Sequence, residues 1–229
     1  MTPWPLPCLC LVTDRRAVTP DARTLRDEIL GLERQLDAAC EAAVDIVQVR
    51  ERDLDAATLL GLVRRVVGRA TQATRVVVND RADVAVTAGA AGVHLRADGP
   101  PAARVRTLQP GPWVVGRSVH TPAEAAQAAD LDYLLCGTVF PSGSKSAGAP
   151  VGGLDTLRET CAVARPPVLA IGGINPARVA ACREAGAAGV AAIGVFLPAG
   201  RTADALGPVA ATAALRKAWF EMLQLPRRA

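Results

Sequence analysis

The chain has 229 residues and a formal net charge of +4, with 50% hydrophobic, 21% charged and 3% aromatic residues. This length can bury one full hydrophobic core, so we expect a single globular domain. The positive charge is spread along the chain without a basic block, and few aromatic side chains are available for stacking, which argues against a nucleic-acid partner. Two histidines, and six cysteines without a C-x-x-C pair, argue against a zinc site.

The beginning of the chain lacks the basic segment and the long apolar run of a signal peptide. No apolar stretch reaches the length that would span a membrane. We therefore expect a cytoplasmic protein without a membrane partner. In that compartment the six cysteines are expected to be reduced and buried as small hydrophobic side chains, with disulfide bonds as the alternative.

Short runs rich in Val, Ile and Leu alternate with helical patterns along the chain, which is typical of repeated βα units around a parallel sheet. Eight strands are predicted, at residues 8–13, 46–50, 75–79, 92–95, 113–119, 133–139, 168–172 and 189–196. Eight helices are predicted, at residues 24–41, 56–70, 81–88, 102–108, 122–129, 154–163, 176–185 and 208–225. This count predicts an α/β fold, a single (β/α)8 TIM barrel that comprises residues 1–229 with its core at about 8–225.

Local signals agree with this architecture. Thr121 and Asn175 each precede a proline, as an N-cap residue does before proline at the first helical position. The segment AGAAGV occurs at residues 88–93 and again at 185–190. Each copy ends a predicted helix and opens a predicted strand, the fourth and the eighth, as expected of a barrel built from two duplicated halves.

The carboxyl ends of the strands carry the active site in this fold, so the residues that end each strand are the candidates. Both histidines, His94 and His120, fall at such positions. Gln48 and Arg50 alternate with apolar residues in the second strand, and the period of two predicts that they point together into the mouth of the barrel.

The last two strands predict a phosphate site. Gly172 and Gly173 precede Asn175 at a helix N-terminus, and Gly194 lies in the predicted eighth strand. Backbone N–H groups at such positions can surround an anion, which is a frequent use of loops seven and eight. The alternative is that the two adjacent glycines only form a tight turn.

The loop 141–150 combines hydroxyl groups with one of the two lysines of the chain, at Ser142, Ser144, Lys145 and Ser146. We interpret it as a segment that closes over phosphate oxygens, with Lys145 as a mobile positive charge. The alternative is a solvated loop.

Two carboxylates and the two histidines are further candidates. Asp80 and Asp98 end neighbouring strands and could share Mg²⁺, which is commonly held by one or two carboxylates plus substrate phosphates. Either could instead cap the following helix. His94 and His120 could transfer protons or could be structural, and the functional interpretation is favoured for His120 because it follows Ser118 on the same face.

Six short motifs occur in order at the predicted strand ends. They are Gln48-Val-Arg50, Asn79-Asp80-Arg81, Ala91-Gly92-Val93-His94-Leu95, Gly116-Arg117-Ser118-Val119-His120, the segment from Gly137 to Lys145, and Ala170-Ile171-Gly172-Gly173-Ile174. With these motifs the chain resembles the thiamine phosphate synthase and TenI superfamily over residues 9–197. The resemblance implies a TIM barrel with small phosphorylated pyrimidine and thiazole substrates.

The resemblance implies two candidate activities. Synthases join hydroxymethylpyrimidine diphosphate to a thiazole phosphate and release diphosphate, whereas TenI-type tautomerases move a proton on a thiazole carboxylate phosphate. Arg52 stands where the synthase motif has lysine, and Asp98 is displaced by one position from the metal-binding aspartate; both departures favour the tautomerase, as does the segment around Ser118. Asp80 and Lys145 are retained, which argues against a third hypothesis, a non-catalytic sensor of a phosphorylated ligand. The synthase is the leading hypothesis.

The resemblance also implies roles for the candidate residues. In a synthase, Mg²⁺ would be bound by Asp80 and Asp98, and the departing diphosphate would be stabilised as the pyrimidine methylene becomes cationic. The implied catalytic residues are His120, Ser118, Lys145 and Arg50. The implied substrate-binding residues are Gln48, Arg50, Asn79, His94, Ser118, Ser142, Ser144, Lys145, Gly173 and Gly194. A tautomerase would need no metal, and His120 would be its general acid and base. A homo-oligomer is compatible with the sequence.

Overall fold

The computed structural model describes residues 7–142 and 151–221. Eight parallel strands close into a barrel in the order in which they occur along the chain, which confirms the predicted TIM barrel. The strands are β1 (Cys8–Val12), β2 (Ile46–Val49), β3 (Arg75–Asn79), β4 (Gly92–Leu95), β5 (Val114–Val119), β6 (Tyr133–Cys136), β7 (Val168–Ile171) and β8 (Gly189–Ala192). All eight predicted strands are therefore present.

Helices connect the strands on the outside of the barrel. They are α1 (Arg15–Val18), α2 (Leu25–Glu41), α3 (Ala56–Arg69), α4 (Ala82–Ala88), α5 (Ala102–Arg106), α6 (Pro122–Ala126), α7 (Gly153–Val163), α8 (Pro176–Glu184) and α9 (Pro208–Glu221). The short helix α1 was not predicted. The prediction that β8 extends to residue 196 is wrong, because Gly194–Phe196 forms a short 3-10 helix. Within the described ranges, no helix is long and apolar enough to cross a membrane.

Apolar side chains pack on both faces of the strands. The barrel interior is filled by a small cluster that includes Cys8, Cys10, Val12, Tyr133 and Leu135. A larger cluster fills the space between the strands and the helices. Successive residues of a strand point to opposite faces, so Cys8 and Cys10 of β1 share the face that points into the barrel. All six cysteines are free thiols; five are buried, as predicted, and Cys161 is half-buried.

The amino-terminal end of the barrel supports the predicted duplication. Asp45 immediately precedes β2, and its Oδ2 accepts a hydrogen bond of 2.8 Å from the backbone N–H of Leu9. Asp132 immediately precedes β6, and its Oδ2 accepts a hydrogen bond of 2.7 Å from the backbone N–H of Val115. The same anchor thus recurs four strands later, as do the two copies of AGAAGV, which lead into β4 and β8.

Candidate active site

The carboxyl ends of the strands surround a cavity of about 1000 Å³, which is large enough to hold small-molecule substrates. Many of the predicted site residues lie in its wall, namely Gln48, Arg50, Asn79, Asp98, Ser118, His120, Ser142, Gly173 and Gly194. The wall also contains the arginines Arg52, Arg96 and Arg178. Ser144, Ser146 and Lys145 lie outside the described residues.

A chain of amide and carboxylate groups crosses the ends of β2 and β3. Nε2 of Gln48 donates to Oδ1 of Asn79 over 3.0 Å, and Nδ2 of Asn79 donates to Oδ2 of Asp80 over 3.0 Å. These bonds fix the orientation of both amides. Oε1 of Gln48 is buried and has no hydrogen-bond partner within the described part of the chain. An unpaired buried acceptor is costly, so this oxygen is suited to a donor group on a ligand.

Arg50 follows β2 and reaches the cavity from a half-buried position. Its backbone N–H donates to Oγ1 of Thr13 over 2.8 Å, which ties the end of β2 to the end of β1. Burial lowers the pKa of Arg50, and the neighbouring charge of Arg52 lowers it further. Arginine remains charged nevertheless, so the guanidinium is a partly desolvated cation that favours an anionic ligand.

An ion-pair cluster around the buried Arg15 holds the loop that carries these two arginines. The guanidinium of Arg15, whose side chain is only 5% exposed, contacts Glu51 at 3.0 Å, Glu28 at 2.6 Å and Asp53 at 2.6 Å. Hydrogen bonds from Arg15 lower the pKa of Asp53 to about 2. Because Glu51 points away from the cavity into this cluster, Arg50 and Arg52 on either side of it are presented to the cavity.

Two buried side chains, His94 and Tyr133, lie behind Ser118 and connect to it by hydrogen bonds. Its Oγ lies 2.9 Å from Nε2 of His94, and Nδ1 of His94 lies 3.0 Å from the hydroxyl of Tyr133. Burial lowers the pKa of His94 to about 3, and the charges of Arg50 and Arg117 act in the same direction. His94 is therefore neutral and is only 1% exposed. It lies behind Ser118 and can influence a ligand through the serine hydroxyl.

His120 lies at the cavity mouth with an exposed ring. Its Nδ1 donates to the backbone carbonyl of Gly137 over 2.6 Å, since a carbonyl oxygen can only accept. Its backbone N–H donates to Oε2 of Glu124 over 2.6 Å. These contacts fix the ring and leave Nε2 as the nitrogen available to a ligand, which would suit a proton-transfer role.

The two predicted metal carboxylates are both close to one guanidinium. Nε of Arg96 lies 3.2 Å from Oδ2 of Asp80 and 3.6 Å from Oδ1 of Asp98. No group of three or more His, Cys, Asp or Glu side chains lies close enough to hold a metal in residues 7–142 and 151–221. Two carboxylates still fit a Mg²⁺ ion that takes its remaining ligands from substrate phosphates and water. Asp80 and Asp98 can supply this part of a site only if Arg96 moves aside.

Gly172, Gly173 and Gly194 line the part of the cavity mouth that lies at the ends of β7 and β8. Gly172 and Gly173 follow β7 with φ angles of +105° and +61°, which favour glycine. A Cβ on Gly173 would lie 2.5 Å from the carbonyl oxygen of Pro141, so the backbone segments approach closely here. At Gly194, no heavy atom of the described residues lies within 4 Å of the position of a Cβ, apart from its chain neighbours and the backbone of its own helical turn. Packing therefore does not require this glycine, and its backbone faces the cavity.

Arg178 places a further positive charge beside these glycines. Its Nη1 donates to the carbonyl of Gly173 over 2.6 Å, and its guanidinium carbon lies 4.9 Å from the ring centre of Phe140. Asn175 occupies the N-cap position of α8, as predicted, but its side chain does not cap the helix. Its Nδ2 donates to Asp204 over 3.2 Å instead.

Three residues of the site, Tyr133, Arg96 and Arg178, were not predicted from the sequence. Tyr133 is the only tyrosine of the chain and has the inward parity of β6, a signal that could have placed it beside the residues of β5. Arg178 lies in the first turn of the helix that follows the glycine pair, where a cation suits a phosphate. For Arg96 the only signal is its position between two candidate metal ligands in the sequence.

Comparisons with known proteins agree with this geometry. The family model described as thiamine monophosphate synthase matches residues 9–196. A thiamine-phosphate synthase of Anaeromyxobacter dehalogenans is 41% identical over 187 residues, which are 81% of this chain and 82% of the relative. A thiamine-phosphate synthase of Methanoculleus marisnigri is 38% identical over 187 residues, covering 79% of this chain and 89% of the relative. A solved structure of thiamine phosphate pyrophosphorylase from Pyrococcus furiosus superposes with a TM-score of 0.76 and 28% identity, covering 95% of this chain and 97% of that one.

Proposed function

The chain belongs to the thiamine monophosphate synthase family, and on that premise we propose that it joins hydroxymethylpyrimidine diphosphate to a thiazole phosphate and releases diphosphate. The observation that carries this proposal is that one cavity has two cationic sides. Arg50, Arg52 and Arg96 follow β2 and β4, whereas Arg178 lies beside the glycines that follow β7. In a closed eight-stranded barrel these strands lie on opposite sides, so two phosphorylated substrates can be held face to face.

The amide chain is suited to the pyrimidine. The hydrogen bonds from Gln48 to Asn79 and from Asn79 to Asp80 leave Oε1 of Gln48 as an acceptor. An amino group on the pyrimidine ring would donate to that oxygen. Binding at this position would bring the methylene carbon of the substrate towards the centre of the cavity and its diphosphate towards Arg50.

Arg50 and Ser118 are suited to the departing diphosphate. If Tyr133 donates to Nδ1 of His94, the Nε2–H of His94 donates to Ser118, and the serine hydroxyl hydrogen remains available to a phosphate oxygen. Of the two possible directions of these hydrogen bonds, this one allows the Ser118 hydroxyl to donate to an anion. The half-buried guanidinium of Arg50 adds a charge whose strength is increased by its low-dielectric surroundings. Lys145 and Ser144 of the loop 141–150 are proposed to close over the same oxygens.

The other substrate is proposed to bind at the glycines. The backbone N–H groups of Gly173 and Gly194 would donate to the phosphate of the thiazole, and Arg178 would supply a counter-charge. The carbon–oxygen bond of the pyrimidine methylene breaks with its electron pair leaving on diphosphate, and the lone pair of the thiazole nitrogen forms the new carbon–nitrogen bond. Asp80 and Asp98 would hold Mg²⁺, which when bound neutralises part of the diphosphate charge.

A second candidate activity is proton transfer on a thiazole carboxylate phosphate. The specific observation in its favour is the fixed ring of His120, whose Nε2 remains available at the cavity mouth. In this alternative the same glycines hold the phosphate and no metal is needed.

One assay separates these functions. We expect the purified protein, given both synthase substrates and Mg²⁺, to release diphosphate, and to release none when the thiazole phosphate is omitted. The variant Arg50→Gln should lose most of this activity, because it removes a partly desolvated charge from the leaving group. An absence of release together with rapid proton exchange on the thiazole carboxylate phosphate would instead support the tautomerase. Ligand binding without either reaction would support a sensor.

A further inference from the structure

We propose that Arg96 competes with the divalent cation for Asp80 and Asp98, and that the displaced guanidinium pairs with diphosphate. Arg96 then couples binding of the cation to recognition of the leaving group. This inference rests on the proposed function in taking diphosphate as the anion and Asp80 and Asp98 as the residues that hold the cation. Arg96 would therefore lower the affinity of the protein for free metal and raise its affinity for diphosphate.

The backbone directs Asp80 towards Arg96. Asp80 has a φ angle of +59°, a region that residues other than glycine seldom adopt. Its N–H donates to the carbonyl of His94 over 2.9 Å, which holds this conformation against the end of β4. Oδ1 of Asp80 then accepts the backbone N–H of Arg96 over 3.0 Å. The carboxylate is thus fixed at the start of the loop that carries Arg96.

Both oxygens of Asp80 already have hydrogen-bond donors. Oδ2 accepts Nδ2 of Asn79 over 3.0 Å and also lies 3.2 Å from Nε of Arg96. Nε of Arg96 lies 3.6 Å from Oδ1 of Asp98 as well. A cation that bridges the two carboxylates would have to occupy the space beside this guanidinium. Two positive charges at such short distances repel each other, so the cation and the guanidinium exclude one another.

The guanidinium can leave while the loop stays in place. The side chains of Arg96 and Asp98 are 56% and 76% exposed, and ion pairs at such exposure are weak. The backbone beyond Arg96 is held separately, because the guanidinium of Arg117 donates to the carbonyl oxygens of Ala97, Gly99 and Pro100. Asp98 therefore keeps its position when the side chain of Arg96 changes its rotamer.

An anion bound in the cavity would be the new partner of Arg96. Arg96 lies in the cavity wall with Arg50 and Arg52, on the side that we assign to diphosphate. A guanidinium forms two parallel hydrogen bonds with phosphate oxygens. Binding of the cation would free Arg96 for this contact, and binding of diphosphate would free the carboxylates for the cation. Such mutual promotion is a coupling between two ligands and must be reciprocal.

The test measures binding without turnover. Mn²⁺ binding to the intact protein is followed by electron paramagnetic resonance without any phosphate, and binding of inorganic diphosphate is followed by calorimetry in the presence of a chelator. We expect Arg96→Gln to bind Mn²⁺ about two- to fivefold more tightly than the wild type and to bind diphosphate more weakly by a similar factor. Arg69→Gln removes a similarly exposed arginine (46% against 56% for Arg96) from a pair with Asp37 on the outer surface and should change neither.

Two further variants complete the design. Asp98→Asn should weaken Mn²⁺ binding, and the Arg96→Gln/Asp98→Asn protein should lose the gain that Arg96→Gln gives alone. Equal or weaker Mn²⁺ binding by Arg96→Gln would overturn the proposal, as would unchanged diphosphate binding. Because neither measurement needs catalysis, a protein that failed the synthase assay could still confirm or overturn this inference.

Discussion

The ring of Tyr133 lies where a side chain on Gly116 would have to stand. Gly116 of β5 is paired with Tyr133 of β6 in the sheet, and both face the barrel interior. The glycine lets the ring lie across the strand with its hydroxyl 3.0 Å from Nδ1 of His94. The absence of a side chain at Gly116 thus leaves room for Tyr133, whose hydroxyl contacts His94, the residue that orients Ser118.

Gly116→Ala should therefore damage both stability and activity. The added methyl group meets the tyrosine ring, and overpacking of this kind costs about 1–3 kcal/mol. A displaced ring can no longer reach His94. We expect a lower free energy of unfolding in urea and a loss of diphosphate release. Gly68→Ala is the matched control, because outside its chain neighbours and the backbone of α3 itself no heavy atom of the described residues lies within 4 Å of that Cβ position; it should stabilise the protein by up to about 1 kcal/mol.

Tyr133→Phe should lower kcat more than it changes KM. The variant keeps the ring but removes the hydroxyl that, in the proposed direction of the hydrogen bonds, donates to His94, so the hydroxyl of Ser118 is less well directed at the leaving group. We expect a loss of about tenfold in kcat, equivalent to about 1.4 kcal/mol. Ser118→Ala should lose more. The double variant should be no worse than Ser118→Ala alone, because the tyrosine acts through the serine. Independent, additive losses would show that Tyr133 does not act through Ser118.

His94 predicts a pH dependence of stability. Its pKa is about 3 in the folded protein and about 6.5 in a model peptide. Between these values the unfolded chain binds a proton that the folded protein does not, so stability falls as the pH falls below about 6.5. We expect the free energy of unfolding of the wild type, relative to His94→Gln, to decrease by up to about 1.4 kcal/mol per pH unit from pH 6 to pH 4. A difference that stays constant over this range would show that His94 is not held neutral.

Gly194→Ala should weaken binding of the thiazole phosphate without weakening the fold. Apart from its chain neighbours and the backbone of its own helical turn, the new methyl group meets no heavy atom of the described residues within 4 Å, so we expect the midpoint of thermal unfolding to be no lower than that of the wild type. The same methyl group would project into the cavity where the proposed phosphate oxygens lie. We expect the dissociation constant for thiazole phosphate to rise about tenfold, equivalent to about 1.4 kcal/mol. Unchanged binding would remove Gly194 from the proposed phosphate site.

The sequence predicted the barrel because strand and helix patterns are local. The period-two alternation and the apolar runs identify each strand without reference to its neighbours. The predicted end of β8 was wrong because the apolar run continues through Val195 and Phe196, and hydrophobicity alone does not separate a strand from a 3-10 helix. Helix α1 has four residues, too few to produce a periodic pattern.

The candidate site was predictable as a set of strand ends and less so as a set of contacts. The positions of Gln48, Asn79 and Ser118 followed from their place in the motifs. The contact of Tyr133 with His94 joins residues 39 positions apart and depends on the register of three strands. The pairing of Arg96 with two carboxylates depends on the backbone conformation of Asp80. The oligomeric state and the cytoplasmic location stay predictions from the sequence.

The most direct test of the account is the amount of thiamine phosphate formed by the wild-type protein from both substrates with Mg²⁺, measured by mass spectrometry beside diphosphate in the same quenched sample. We predict that the two products rise together in equal amounts, since one carbon–nitrogen bond forms for each diphosphate released. Diphosphate without thiamine phosphate, or neither product while the thiazole carboxylate phosphate exchanges its proton, would contradict the account.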